Sequence, residues 1–344
     1  MERKLGSYGL ADFFAEQRRK RPNFLDAIDG IIKWQRIETL LHKKLGRHQT
    51  NAAGVKAYPS LVMFKVLLLQ SWFNLSDEAM EYALHDRISF ARFTGFSLED
   101  ETPDHTTICR FRNLLVEKKL LKKLLEEINH QLMRQGKLVK AGCAVDASII
   151  SSANHPIKRV DIDVVPEDRK EKDTPPPSVT ISYSRDTEAS WTKKGRHYHY
   201  GYKIHVATDI KDGFILSGHA TPSHKSDTGE LATIINGASL EPQTRVYADK
   251  GYTSAKNSKI LKDSGLKDGI MGKASRSRKL TPKEQKRNRL ISSVRGIIER
   301  SFGTLKQVYG LARASYMGIA KVEGEFLLCA MAFNLKKAVF LPPR

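Results

Sequence analysis

The fold is decided by the stretch Leu138-Val139-Lys140-Ala141-Gly142-Cys143-Ala144-Val145-Asp146. Before this stretch, apolar residues recur at the spacing of buried helix faces, whereas the run from Leu138 to Val145 is short and mostly apolar, as in a buried strand. Asp146 follows where the apolar run ends. The stretch therefore marks the change from a helical first part of the chain to a part that contains a β-sheet. It also places a carboxylate at the end of the first predicted strand.

The strand patterns that follow predict an α/β fold. Two runs, at residues 200–208 and 213–220, are joined by a turn at 209–213 and should pair as antiparallel strands. Two more strands, at 244–249 and 267–272, alternate with helical patterns. Three strands, then helix and strand twice, then a helix is the element order of an RNase H-like mixed five-stranded sheet. In such a sheet the first and fourth strands are parallel neighbours.

Three carboxylates are predicted to meet at one edge of this sheet. Asp249 ends the fourth strand as Asp146 ends the first, and sites in open α/β sheets form at the carboxyl ends of parallel strands. The last helix, packed across the sheet, can bring Glu299 to them. Ligation by oxygen alone suits Mg²⁺, with Mn²⁺ as a substitute. Two such ions can activate the attacking oxygen and neutralise the leaving oxygen of a phosphodiester.

The helix that carries Glu299 also carries two cations on the same side. Arg295, Glu299 and Lys306 are spaced so that they align along one helix face. One interpretation is a solvated row with an Arg–Glu ion pair, which is common on surface helices. If the carboxylates converge, Arg295 and Lys306 would instead hold DNA phosphates or the displaced strand.

Other acids and histidines compete for the same roles. Asp209 also ends a strand, but that strand should run antiparallel to the first, which places Asp209 at the opposite edge. His197, His199 and His205 are close in sequence, yet their spacing favours a basic strand over a metal site. Asp227 is expected to cap a helix or to support the site from a distance.

The chain divides into two predicted domains. Residues 1–135 form an all-helical N-terminal DNA-binding domain with a basic cluster at 17–21. Residues 136–344 form the catalytic domain, with an irregular insertion at about 151–195. Ser76 and Asp104 are each expected to be the N-cap of a helix. The helix that Asp104 caps has, near its start, side chains that can read base edges in a helix-turn-helix: Thr106, Thr107, Arg110 and Arg112. The alternative for this region is an ordinary helical packing domain with a basic face.

Composition points to a polyanionic partner. The 344 residues include 58 Lys and Arg against 38 Asp and Glu, a formal charge of +20. Nucleic acid is the commonest partner of such a charge. No signal-peptide pattern is present and the apolar runs are too short to span a bilayer, so no membrane is expected as a partner. The three cysteines are isolated, which argues against a zinc cluster or disulfides and favours a reducing cytosol.

Several sequence blocks resemble those of one family, the bacterial insertion-sequence DDE transposases, specifically the insertion-sequence-five type. The blocks span nearly the whole chain: Tyr58-Pro59, Trp72-Phe73-Asn74-Leu75-Ser76-Asp77, Pro103-Asp104-His105-Thr106-Thr107 with Phe111-Arg112, Val145-Asp146-Ala147-Ser148-Ile149-Ile150, Trp191-Thr192-Lys193-Lys194-Gly195, Gly201-Tyr202-Lys203-Ile204-His205 and Ala248-Asp249-Lys250-Gly251-Tyr252. The last helix resembles the family signature of Tyr, Arg, Glu and Lys at Arg295, Glu299 and Lys306, with Ser292 in the Tyr position. Lys193, in one of these blocks, joins the predicted DNA contacts.

The resemblance implies an activity. Asp146, Asp249 and Glu299 would be the catalytic triad of a Mg²⁺-dependent DNA transposase. It would bind double-stranded DNA at the terminal inverted repeats of its element, cleave it, and transfer the freed 3′-hydroxyl to target DNA. A homodimer on DNA is expected because two ends must be joined. Two alternatives stay open: a catalytically silent DNA-binding protein derived from a transposase, and a plain RNase H-like nuclease.

Overall fold

The computed structural model describes residues 23–45, 56–154, 185–275 and 278–341. It also describes residues 5, 6, 9, 13 and 156, and the backbone of residues 159–162 and 179–182. The basic cluster predicted at 17–21 lies outside the described residues.

The part of the chain before the sheet is helical, as predicted. Its described helices are α1 (Phe24–Ile31), α2 (Trp34–Leu45), α3 (Ser60–Phe73), α4 (Asp77–Asp86), α5 (Ile88–Thr94), α6 (His105–Glu117) and α7 (Leu120–Arg134). Two N-caps expected from the sequence are confirmed. The Ser76 hydroxyl accepts a hydrogen bond from Ala79 N at 3.1 Å, and the Asp104 carboxylate accepts one from Thr107 N at 2.8 Å. Each satisfies an amide that the first helical turn leaves unpaired.

The second part contains a mixed sheet of six strands. The strands of the chain are β1 (Cys143–Ser151), β2 (Arg159–Ile162), β3 (Val179–Ser182), β4 (Ser190–Lys194), β5 (His197–Asp209), β6 (Ile215–Pro222), β7 (Arg245–Ala248) and β8 (Lys267–Ile270). The sheet order is β4-β5-β1-β7-β8, with β6 also paired to β5. β2 and β3 form a separate antiparallel pair. β1 is antiparallel to β5 and parallel to β7, so the predicted parallel contact of the first and fourth strands is confirmed.

Two details of the predicted sheet were wrong. β1 does not end at Val145 but continues to Ser151, because the long strand β5 pairs with it throughout, from Cys143 opposite Asp209 to Ser151 opposite Gly201. The predicted five strands were also one short, since β4 joins the sheet at β5. The missed strand has largely exposed side chains and so lacks the apolar alternation from which strands are recognised.

The same observations correct the prediction of an irregular insertion at 151–195. That segment supplies the end of β1, the β2–β3 pair and β4. The stretch 163–178 within it lies outside the described residues.

Four α-helices complete the described chain after β6: α8 (Leu231–Ala238), α9 (Ala255–Asp263), α10 (Pro282–Gln307) and α11 (Ile319–Phe340). Helix α10 begins with a capping box, in which Thr281 and Glu284 each accept the other's backbone amide, and with Pro282 in its first turn. Both features favour a helix start at this point. The start is thus fixed locally, although α10 is mostly exposed over its first three turns.

Helix α11 connects the helical part to the sheet. Its side chains are buried over most of its length, and it packs against β6, α3 and α7. The indole of Trp72 in α3 donates a hydrogen bond to the carbonyl of Ala332 at 2.7 Å. Asn334 accepts from Ile215 N at 2.9 Å and donates to the Ile215 carbonyl and to Asn129 Oδ1 of α7, both at 2.8 Å. None of the described helices has both the length and the apolar composition that a membrane crossing requires.

Asn334→Ala should destabilise the protein by about 3 kcal/mol. The change removes the partners of buried polar groups on β6 and α7, and each buried group without a partner costs roughly 1–3 kcal/mol. Denaturant unfolding followed by circular dichroism measures the effect. Gln307→Ala, at an exposed position of α10, is the control and should change stability by less than about 0.5 kcal/mol. Equal stability of the two variants would contradict this role of Asn334.

Candidate active site

Two aspartates meet where β1 and β7 stop pairing. The last parallel partners are Val145 and Ala248, so Asp146 and Asp249 are the next residues of the two strands. Beyond this point β1 continues, while the chain leaves β7 for a short 3₁₀ helix, Lys250–Tyr252, with Asp249 as its N-cap. Both carboxylates are partly exposed. Their approach therefore follows from strand register and not from the packing of flexible side chains.

The Arg295 guanidinium lies between the two carboxylates. Its Nη2 is 2.9 Å from Asp146 Oδ2, and its Nη1 is 3.8 Å from Asp249 Oδ1. The side chain is buried, and its Nε has no hydrogen-bond partner among the described residues. The sequence predicted Arg295 beside the site, but as a contact to DNA phosphates. In this structure it offsets the charge of the aspartates themselves.

The site is a cluster of coupled charges. Burial is the largest influence on Asp146 and raises the pKa of its carboxyl group; Asp249 adds to this effect and Arg295 opposes it. Burial also raises the pKa of the nearby Tyr252, and Asp227, Asp146 and Asp249 act in the same direction. Two carboxylates and one buried cation thus form a site that carries net negative charge and can accept a further cation.

Glu299 is not brought into this pair. It lies one helical turn beyond Arg295 on α10 and is exposed. Among the residues that the structure describes, no three His, Cys, Asp or Glu side chains are placed together to hold a metal ion. Asp146 and Asp249 fit a divalent cation in their chemistry, because they are hard oxygen donors, close together and partly open. Two of the three predicted ligands are therefore assembled.

Lys306 anchors α10 to the sheet. Its Nζ donates a hydrogen bond to the carbonyl of Ile149 in β1 at 2.9 Å. Burial, and then the charge of Lys194, lower the pKa of this amine. Arg295 and Lys306 both contact β1. The helix face on which the sequence aligned them is therefore the face that crosses β1. Ser292, at the position where the family signature has Tyr, is exposed.

Asp209 lies at the other end of β1, as predicted. It pairs with Cys143, three residues before Asp146, and is buried. Its Oδ1 accepts from Lys211 N at 2.7 Å and from Asp212 N at 2.9 Å, and its Oδ2 accepts from Phe214 N at 2.7 Å. These bonds close the β5–β6 turn, which is a structural role.

The histidines are also structural or exposed. His205 is buried and stacks on His219 of β6 with ring centroids 5.0 Å apart, and burial lowers the pKa of His205 to about 3. His219 Nε2 is 2.8 Å from Glu230 Oε2. The sequence did not predict this cluster, because Glu230 lies after β6 and no short motif connects the three residues. His197 is exposed and His199 is partly exposed on β5.

The predicted DNA-contact residues of α6 do not share one environment. Thr106 and Thr107 are partly exposed at the helix start, and Arg110 is exposed. Arg112 is buried: it forms an ion pair with Asp77, and its guanidinium carbon lies 4.7 Å from the centre of the Tyr316 ring.

The prediction that Arg112 contacts DNA is therefore wrong. The reason is helical periodicity, because Arg112 is four residues after Ile108 and three before Leu115, on the face of α6 that packs into the core. Lys193 of β4 is exposed, and its Nζ lies 5.3 Å from the centre of the Tyr198 ring.

Comparison with known proteins defines the class. The chain matches the transposase domain (DUF772) over residues 13–114 and the transposase DDE domain over residues 138–335. The second match covers more than half of the chain, so the protein belongs to the DDE transposases. A transposase for insertion sequence element IS1106 from Neisseria meningitidis serogroup B is 43% identical over 231 residues, which are 67% of this chain and 76% of that protein. Within the class, this chain is a bacterial insertion-sequence transposase.

Solved structures give weaker similarities. A piggyBac transposase synaptic complex with hairpin DNA has a TM-score of 0.42 and 11% identity, and the match covers 93% of this chain and 76% of that one. The Mos1 mariner paired-end complex with Mn has a TM-score of 0.23 and 11% identity, covering 96% and 91%. The assignment to the family therefore rests on the sequence matches.

Arg295→Gln should destabilise the protein by about 3 kcal/mol at neutral pH. It removes one partner of a largely buried ion pair and leaves two neighbouring carboxylates uncompensated. Denaturant unfolding measures the loss. Arg300→Gln, exposed on the same helix, is the matched control and should change stability little. Equal effects of the two changes would show that Arg295 does not compensate the aspartates.

The loss should depend on pH with a defined sign. Arg295 lowers the raised pKa of Asp146, so its removal raises that pKa further. The native variant then binds a proton at higher pH than the unfolded chain does, and its stability rises relative to wild type as pH falls. The deficit should be largest above the raised native pKa and should shrink as pH falls toward the ordinary value of 3.8. A deficit that grows on acidification would contradict this assignment.

Proposed function

We propose that this transposase cleaves DNA at the terminal inverted repeats of its element and joins the freed ends to target DNA, with Asp146, Asp249 and Glu299 as the catalytic triad. The observation that carries the proposal is the pair of aspartates at the ends of β1 and β7, with Arg295 between them. The pair lies within the stretch that matches the transposase DDE domain. The finer assignments that go with it are an RNase H-like fold for residues 136–344, an N-terminal DNA-binding domain in residues 1–135, and the insertion-sequence-five type.

The residues of the site have distinct roles in this proposal. Asp146 and Asp249 would hold Mg²⁺, or Mn²⁺ as a substitute, and Glu299 would be the third ligand, from the next turn of α10. Metal bound there would supply Lewis-acid activation of the attacking oxygen and neutralise the leaving oxygen of the phosphodiester. Arg295 keeps the two carboxylates together against their mutual repulsion. Lys306 fixes the helix to β1, which holds Glu299 at a constant distance from the strand.

The proposed partner is double-stranded DNA. The formal charge of +20 favours a polyanion, and the chain matches the transposase DDE domain over residues 138–335. We also propose a homodimer on DNA, because joining requires that two ends be held together. One observation favours the alternative of a catalytically silent DNA-binding protein: Glu299 is exposed and lies outside the aspartate pair.

Chemistry and DNA binding should separate at the triad. Asp146→Asn, Asp249→Asn and Glu299→Gln each remove a negative charge from the proposed metal site, so cleavage should fall by orders of magnitude. DNA affinity should be kept or increased, because less negative charge faces the phosphates. Cleavage is measured as nicking of a supercoiled plasmid that carries the element ends, in Mg²⁺ and in Mn²⁺. DNA affinity is measured by gel retardation in Ca²⁺.

Asp263→Asn, exposed at the end of α9, is the control for these variants and should cut normally. Wild-type cleavage by Asp249→Asn would contradict the assignment of Asp249 to the catalytic triad. Wild-type protein that retards end DNA without nicking it would favour the silent alternative, and degradation independent of the ends would favour a plain nuclease.

Arg110→Ala should lower the preference of the full chain for end DNA over scrambled DNA. Arg110 is the exposed arginine near the start of α6, and loss of a specific base contact costs roughly 1–3 kcal/mol of discrimination. Competition binding at fixed salt measures the ratio. Lys118 is exposed just after α6. Lys118→Ala is the control and should weaken binding to end DNA and to scrambled DNA equally. An unchanged ratio for Arg110→Ala would contradict a recognition role for this helix start.

A further inference from the structure

The β4–β5 hairpin, residues 190–200, projects from the sheet. Strand β5 pairs with β1 only from Gly201 onward and with β6 only from Tyr202 onward. Before Gly201 its described strand partner is β4, over the register from Trp191 opposite Tyr200 to Lys194 opposite His197. The described side chains of residues 190–200 are exposed or partly exposed.

One face of the hairpin is aromatic and exposed. Trp191 is 53% exposed and Tyr198 is 66% exposed. Trp191 contacts its cross-strand neighbour Tyr200 at 5.2 Å between ring centroids, and Lys193 Nζ lies 5.3 Å from the centre of the Tyr198 ring. Cross-strand pairs of this kind stabilise a hairpin, but here they leave much of both large rings in solvent. Two rings and an ammonium group thus line one open face.

The charge of the hairpin has a single sign. Residues 189–208 contain Lys193, Lys194, Arg196 and Lys203 and no Asp or Glu. Lys193, Lys194 and Arg196 are exposed around the turn. Such a surface repels other cations and attracts phosphates.

The hairpin continues the strand pair that carries Asp146. Gly201, at the base of the hairpin, lies opposite Ser151, five residues beyond Asp146 on β1. Burial, and then the charge of Lys194 in the hairpin, lower the pKa of Lys306. Lys306 is bonded to Ile149, three residues beyond Asp146 on the same strand. A DNA strand that reaches the aspartates can therefore continue along the hairpin.

We propose that the aromatic face formed by Trp191 and Tyr198 binds an unpaired base of the DNA strand that is processed at Asp146 and Asp249. Aromatic rings beside basic side chains are the combination by which proteins bind single-stranded nucleic acid, because each exposed base offers a π-face and each phosphate a negative charge. In an intact duplex the π-faces are stacked inside, so a duplex offers this surface phosphates only. Strand breakage at the site creates ends whose bases can unpair. The inference rests on the proposed function and adds the form of DNA that the site handles.

Tryptophan fluorescence tests the contact directly. Of the three tryptophans, Trp34 and Trp72 are buried, so Trp191 alone is open to quenching by a stacked base. Full-length protein in EDTA, which prevents cleavage, is titrated with a short single-stranded oligodeoxynucleotide and, separately, with a blunt duplex. The single strand should quench the emission strongly and the duplex weakly.

Variants separate stacking from charge. Trp191→Leu should abolish the quenching and weaken single-strand binding about 5- to 150-fold, since one stacked base is worth roughly 1–3 kcal/mol. Trp191→Phe should recover most of the affinity. Lys193→Gln should reduce the salt dependence by about 0.7 in log–log slope. Tyr82→Leu is the control, because Tyr82 is 72% exposed on α4 and should not affect binding.

The outcomes are decisive. Wild-type affinity of Trp191→Leu for the single strand, or equal quenching by the blunt duplex, overturns the inference. If Trp191→Leu does not fold, the single-strand affinity of Tyr198→Leu is compared with that of the wild type instead, and it should be lower. Loss of the end-specific cleavage described above, with quenching intact, would count against the proposed function and leave the base-binding surface in place.

Discussion

The pairing of β1 with two different neighbours is the constraint on which the rest of the structure depends. β5 holds β1 along its whole length, whereas β7 holds only its first three residues. Because the parallel pairing stops after Val145 and Ala248, two aspartates that are 103 positions apart in sequence (249 − 146) emerge side by side. Neither carboxylate would be near the other without this register. The electrostatic repulsion that results is what Arg295 offsets.

Helix α10 is positioned by its charged residues as well as by its apolar ones. Two of its own apolar residues, Ile298 and Leu305, are buried. Arg295 contacts the Asp146 side chain of β1, and Lys306 contacts the Ile149 carbonyl of the same strand. Buried cations carry a desolvation cost that only good partners offset. Their contacts therefore specify how α10 lies on the sheet, in addition to any catalytic use.

The helical part of the chain is joined to the sheet through α11. Trp72 of α3 and Asn129 of α7 form hydrogen bonds with residues of α11. One of these residues, Asn334, also accepts a hydrogen bond from Ile215 N of β6. Arg112 and Asp77 form a buried ion pair close to this contact, against Tyr316. Arg112, which the sequence predicted as a DNA contact, thus joins the helical part of the chain to the segment that follows α10.

The sequence by itself determined the helical first part, the helix caps at Ser76 and Asp104, and the parallel contact of the first and fourth strands. These depend on local periodicity and on the order of elements, which a chain carries in one dimension. It also singled out Asp146 and Asp249, because each stands where an apolar run ends. Only the tertiary structure decided that β1 runs on past Asp146, that β4 joins the sheet, that Arg112 faces inward and that Arg295 lies between the aspartates. Each of these depends on which distant residue a side chain or strand edge meets, and pairing across the chain leaves no periodic trace in the sequence.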